Sequence, residues 1–106
     1  MNSEAQNSNN EAQADLSRVR QQLRKLRKVL REARALKPAS ISAVEQLDIE
    51  VLKSSGKEKR SAKGKYATAI YRHGQLLALE VRLVTQIFKL KAKIDKLLIT
   101  GVEIKQ

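Results

Sequence analysis

The segment LSRVRQQLRKLRKVLREARALK, Leu16–Lys37, decides the fold. Its apolar residues Leu16, Val19, Leu23, Leu26, Leu30 and Ala33 alternate steps of three and four. That spacing lines one stripe of an α-helix and fills the a and d positions of a heptad repeat. Val29 and Leu36 widen the stripe on one side. Arg20, Arg24, Arg27, Arg31 and Arg34 step in the same rhythm and form a second row, read as lying on the opposite side of the helix. Lys28 stands beside that row, and Arg18, Lys25 and Lys37 extend the charge. Against these nine cations the segment holds one acid, Glu32. The pattern predicts a helix that packs along an oily seam and turns its charge toward a polyanion.

Working outward, residues 1–15 are rich in Asn, Gln, Ser, Glu and Ala. They offer too little apolar surface to offset ordering entropy and are expected to form a disordered acidic tail. On the other side Pro38 is expected to end the long helix 16–37, because the residue before a proline is pushed out of the α region. Residues 42–53 read as a short helix: Ser42 and Glu45 form a capping box, and Val44, Leu47 and Val51 share a face. Leu47, Ile49 and Val51 also alternate with Asp48 and Glu50, as in a strand. The acids of this segment either face away from a polyanion or shield part of the arginine row. Residues 53–65, KSSGKEKRSAKGK, carry six cations, one acid and two glycines without an apolar period. They read as a flexible basic loop.

Residues 66–99 form the second long helix. Leu76, Leu83, Leu90 and Leu97 are spaced by seven, with Ile87 and Ile94 between them. A second stripe, Ile70, Gly74, Leu77, Val81, Val84 and Phe88, lies on a neighbouring face. An arc this broad exceeds what one partner helix covers. One stripe is expected to pack on the first helix and the other on a second copy, with Leu76, Leu83, Ile87, Leu90, Ile94 and Leu97 assigned to the dimer interface. Gly74 is expected at a close helix crossing. Thr100 and Gly101 are expected to end the helix, leaving residues 101–106 as a tail. The resulting fold is all-α: a long helical hairpin with a short connecting helix over residues 16–100, dimerising into a four-helix bundle. With one Phe and no Trp, a lone hairpin has a thin core that a second copy would complete.

Composition narrows the function. A chain of 106 residues is one small domain, and its net charge of +11 favours polyanionic partners. It has no cysteine, hence no disulfide, thiolate nucleophile or zinc ribbon. His73 is the sole histidine, and no P-loop, H-E-x-x-H motif or paired carboxylates on a buried face occur. No catalytic residue, metal site or cofactor is expected, and His73 reads as a surface or packing residue. The longest apolar run, Leu76–Leu79, is far short of a membrane span, and no signal-peptide pattern opens the chain. The expected location is intracellular and cytoplasmic, without a membrane partner.

The character of the arginine row selects among partners. A solvated face normally mixes both signs. A membrane-surface helix carries bulky anchors, commonly Trp or Phe, which Leu16–Lys37 lacks. A basic stretch before heptad leucines suggests a bZIP helix, but Gly56, Gly64 and Gly74 interrupt it and the Asn-x-x-Ala core is missing. Single strands need aromatic platforms, for which one chain offers only Tyr66 and Tyr71. A duplex contacted through phosphates and sugars remains. Arg20, Arg24, Arg27, Arg31 and Arg34 are the expected contacts, supported by Arg18, Lys25 and Lys28. Lys57, Lys59, Arg60, Lys63 and Lys65 would clamp from the basic loop. The alternatives are a DNA-binding accessory or regulator, and a non-enzymatic coiled-coil module for an acidic protein partner.

In overall layout over Leu16–Ile99, the chain resembles the small dsRNA-binding suppressors of RNA silencing made by nodaviruses. The shared features are length, a long helical hairpin that dimerises into a bundle, few aromatics and basic side chains along the bundle. The resemblance implies binding of A-form duplex across its minor groove and shielding of that duplex from a dicing nuclease. It assigns no individual residue.

Overall fold

The computed structural model describes the backbone of residues 2–105 and the side chains of residues 10–100. The protein is all-α, built from two long helices: α1, Asn2–Lys53, and α2, Gly56–Lys105. Only Ser54 and Ser55 separate them. The Ser54 N–H and hydroxyl both donate to the Glu50 carbonyl, at 2.9 and 2.6 Å. That carbonyl is one of those that a helix end leaves without an internal donor. Gly56 has φ +60, a left-handed conformation that costs an L-residue about 1 kcal/mol or more. A glycine at this point lets the chain reverse within two residues.

The chain divides into two compact units: unit 1, Met1–Val29 with Leu83–Gln106, and unit 2, Leu30–Arg82. In unit 1, Val19 and Leu23 of α1 and Leu83 and Ile87 of α2 are buried. Leu16, Leu26, Leu90, Ile94 and Leu97 are half-buried around them. In unit 2, Leu30, Ala33 and Ala62 are buried. Val44, Leu47, Val51, Tyr66, Ala69 and Leu76 are half-buried. Bonds from Arg34 and Lys37 to Glu80, and between Ser40 and His73, run in opposite senses along the two helices. Unit 2 is therefore an antiparallel helical hairpin. On both helices the shielded positions follow steps of three and four, the rhythm first read at Leu16–Ala33.

Several element bounds differ from the sequence reading. Pro38 does not end α1, which passes through it to Lys53, so residues 42–53 are not a separate helix. Pro38 supplies no N–H to the Arg34 carbonyl, but the contacts of Arg34, Lys37 and Ser40 with α2 bracket it on both sides. The heptad rhythm also continues past it through Val44, Leu47 and Val51. Tertiary packing here outweighs a local preference. Residues 56–65 are helical, not a basic loop. Lys59, Ala62, Tyr66 and Ala69 keep the seam spacing, but with side chains too small or too polar to register as a stripe.

The expected tails are likewise drawn into helix, from Asn2 at one end and to Lys105 at the other. Ala, Glu and Gln are strong helix formers, and Ala12 extends the seam toward the N-terminus. Gly101 does not end α2; the Thr100 hydroxyl donates back to the Lys96 carbonyl at 2.9 Å within the continuing helix. Met1 and Gln106, the outermost residues of those tails, lie outside the described residues.

The two stripes of α2 do not take the places expected of them. Leu83 and Ile87, assigned to a second copy, are 5% and 8% exposed inside the chain's own packing. Leu76, Leu90, Ile94 and Leu97 are half-buried on the same seam. Period seven alone does not say which helix answers it, and for Leu83 and Ile87 the answer is α1 of the same chain rather than a dimer interface. The other stripe remains outside, with Ile70, Leu77, Val81, Val84 and Phe88 all exposed. Gly74 marks no close crossing within the chain, since a Cβ there would meet nothing within 4 Å.

Candidate nucleic-acid interface

Each arginine of the row stands one residue beyond a seam position: Arg20 after Val19, Arg24 after Leu23, Arg27 after Leu26, Arg31 after Leu30 and Arg34 after Ala33. One residue is a rotation of about 100° on an α-helix. The row therefore flanks the seam and does not oppose it, which corrects the placement expected from sequence. Arg34 demonstrates the flank by reaching α2, where its Nε donates to Glu80 Oε2 at 3.2 Å. The Lys37 ammonium donates to the other oxygen of the same carboxylate at 2.8 Å. The Lys37 hydrogen bond, with that of Arg34 behind it, holds the Glu80 carboxyl below the usual carboxylate range, against the opposing effect of partial burial.

In unit 1, Arg20, Arg24 and Arg27 are exposed and have no ion-pair partner among the described residues. The same holds for Lys25 and Lys28. Arg18 donates to Asp15 at 2.8 Å, an exposed pair one helical turn apart. Such pairs contribute roughly 0.2–1 kcal/mol, little enough for a phosphate to displace the carboxylate. In unit 2, Arg31 is also exposed and unpaired among the described residues. Glu45, Asp48 and Glu50 do not reach the row; the acid that does is Glu80.

The five basic residues expected to clamp from a loop are fixed on the first turns of α2. Lys59 points into the seam and is half-buried, while Lys57, Arg60, Lys63 and Lys65 are exposed. Arg60 and Lys65 line an open groove of unit 2 together with Arg72, Ser61, Thr68 and Ser40. Unit 1 has a comparable groove, floored by Leu26 and Leu90 and edged by Gln22, Lys25, Gln86 and Lys89. Arg72 and Lys89 escape the sequence reading because they lie outside its two basic stretches, 16–37 and 53–65. The signal for Arg72 is its spacing of seven from Lys65. His73 is half-buried, with Nδ1 2.8 Å from the Ser40 hydroxyl, a packing role.

Among the described residues, no helix is long and apolar enough to cross a membrane. None of their His, Asp and Glu side chains gather in a group of three able to hold a metal ion. Comparison with protein-family models, curated proteins and solved structures gives no significant match to this chain.

Proposed function

We propose that the chain binds double-stranded nucleic acid through backbone contacts, without strong sequence preference and with RNA favoured over DNA. The observation that carries this reading is the state of Arg20, Arg24 and Arg27, which are exposed, aligned and unpaired among the described residues. Guanidinium groups held this way by a rigid helix lose little freedom on meeting phosphates and release condensed counterions as they do so. Arg18, Lys25 and Lys28 add to the same field. The wide minor groove of A-form RNA suits a contact made along a helix, which reads shape and 2′-OH groups more than base edges. Two copies would offer two such rows to one duplex and could shield it from nucleases, as a silencing suppressor does.

The test is a gel-shift series with ssRNA, dsRNA and dsDNA of equal length at two salt concentrations. Duplex affinity should fall steeply with salt and exceed that for the single strand. Replacing Arg20, Arg24 and Arg27 together with Ala should weaken binding alike across sequences and reduce the salt slope by about three, one for each phosphate no longer neutralised. A weakening confined to one sequence would contradict backbone contact and favour a DNA-binding regulator.

A second reading draws on Val84 and Phe88 in unit 1, which are exposed, Phe88 at 74%. They stand two residues before and two after Gln86, so they face away from the groove and share the arginine side. An acidic amphipathic helix would fit apolar anchors beside arginines. That reading gains if no duplex binds at low salt.

A further inference from the structure

The two faces of unit 2 differ. One holds the groove to which α1 contributes Ala43 and α2 contributes Arg72. Ile41 and Ile70 stand two residues before these, a rotation of about 200° on each helix, and so lie on the reverse face. Leu77 and Val81 continue that face along α2 at helical spacing. These four side chains are between 40% and 66% exposed. On α1 the same face carries Arg31 and Arg34 toward one end and Glu45, Asp48 and the exposed Leu52 toward the other. Arg31, Glu45 and Asp48 have no ion-pair partner among the described residues.

The order along α1 is self-complementary. Arg31 and Asp48 are centred midway between residues 39 and 40, as are Arg34 and Glu45, and again Pro38 and Ile41. A helix laid antiparallel on its own copy about that level brings all three pairs into apposition. On α2 the same level is marked by His73, bonded to Ser40. The next residue is Gly74, whose absent side chain faces open space. At such a position a second backbone can approach closely.

We infer that this face of unit 2 docks a second copy of the chain in an isologous pair. Each α1 runs antiparallel to the other, Arg31 meets Asp48 of the partner subunit, and the two α2 helices cross near Gly74. A uniformly acidic occupant, helix or nucleic acid, would set its charge against Glu45 and Asp48. A second copy answers both signs at once. The stretch from Arg31 to Asp48 spans about 26 Å, and two helices side by side about 20 Å, so the flat footprint is about 500 Å² per copy. Twice that is about the lower bound of a specific interface, which suits a dimer of micromolar affinity. The pairing is independent of duplex binding, which is assigned above to Arg20, Arg24 and Arg27.

Sedimentation equilibrium of the full chain, without nucleic acid, tests it. A monomer–dimer equilibrium is expected, with a dissociation constant on the order of micromolar. Each dimer holds the Arg31–Asp48 pair twice, so Arg31→Asp alone or Asp48→Arg alone should weaken dimerisation at least about tenfold by opposing like charges. The double variant should recover to within about threefold of the original. Gly74→Leu should abolish the dimer while leaving helix content by circular dichroism unchanged. A chain that stays monomeric throughout the range overturns the proposal, as does a double variant no better than the single ones. So does a dimer that tolerates Gly74→Leu.

Discussion

Unit 1 and unit 2 share one heptad rhythm but fill it with different chemistry. In unit 1 the central seam positions are aliphatic on both helices: Leu16, Val19, Leu23 and Leu26 on α1, and Leu83, Ile87, Leu90 and Ile94 on α2. In unit 2 the middle of the seam carries Lys37 and Ser40 facing Glu80 and His73, with Ala33, Ala62 and Ala69 nearby. A fully buried Leu or Ile contributes about 1.5–3 kcal/mol, whereas a hydrogen bond nets roughly 0.5–1.5. Layer for layer, the middle of the unit 2 seam therefore gains less from burial than the seam of unit 1. Unit 2 gains something else, since a polar residue at a seam position fixes register at a cost in stability. Sliding one helix by a heptad, about 10 Å, would strand Glu80 away from both of its cations. Aliphatic seams can slip to another heptad; this polar layer has one match.

The sharpest way to break that comparison is to truncate one seam residue in each unit. Leu23→Ala in unit 1 should cost about 3 kcal/mol, within the range for a buried leucine, measured by urea unfolding. Leu47→Ala in unit 2, where the side chain is only half-buried, should cost about half as much. Equal losses would mean that the aliphatic seam is not the stronger part.

A smaller effect of opposite sign is expected at Pro38. It is exposed and lies inside α1, so Pro38→Ala restores an N–H to the Arg34 carbonyl. The gain should be about 2 kcal/mol, less than the full propensity difference because the surrounding contacts already hold the helix. A thermal midpoint raised by several degrees checks it. No gain would indicate that the proline conformation is already matched to the helix around it.

How much of this is legible in the sequence follows the same division. Leu16, Val19, Leu23, Leu26, Leu30 and Ala33 announce their stripe, because aliphatic residues at steps of three and four have few other uses. Lys37, Ser40, Lys59 and Ala62 obey the same spacing, yet nothing in their chemistry separates a seam position from a solvated one. Read locally, the polar half therefore breaks into a proline stop, a short helix and a loop. Local preference at Pro38 gives no credit to contacts 33 to 46 residues distant, such as Ser40 with His73 or Arg34 with Glu80. The arginines are visible as a row from spacing alone. Their angle to the seam needs only the count of one residue, and that count moves them from the back of the helix to its flank.

The smallest effect concerns Glu80 and tests whether the polar layer holds register through charge. Its carboxyl titrates below the ordinary value of 4.5 because the Lys37 ammonium, and then Arg34, bonds the ionised form. In the unfolded chain the group returns to about its ordinary value, so the folded state there binds fewer protons and gains stability as pH rises. The contribution is complete above the ordinary value and fades as pH falls through the lower, folded one. Unfolding midpoints of the native chain and of Glu80→Gln should therefore differ near neutrality and converge in acid, with the change confined below about pH 5. A constant gap at every pH would mean that Glu80 acts through shape and hydrogen bonding alone, which a glutamine imitates only in part. The distinction bears on specificity, because a charged layer penalises a slipped register by stranding three ionised groups and a merely polar one penalises it far less.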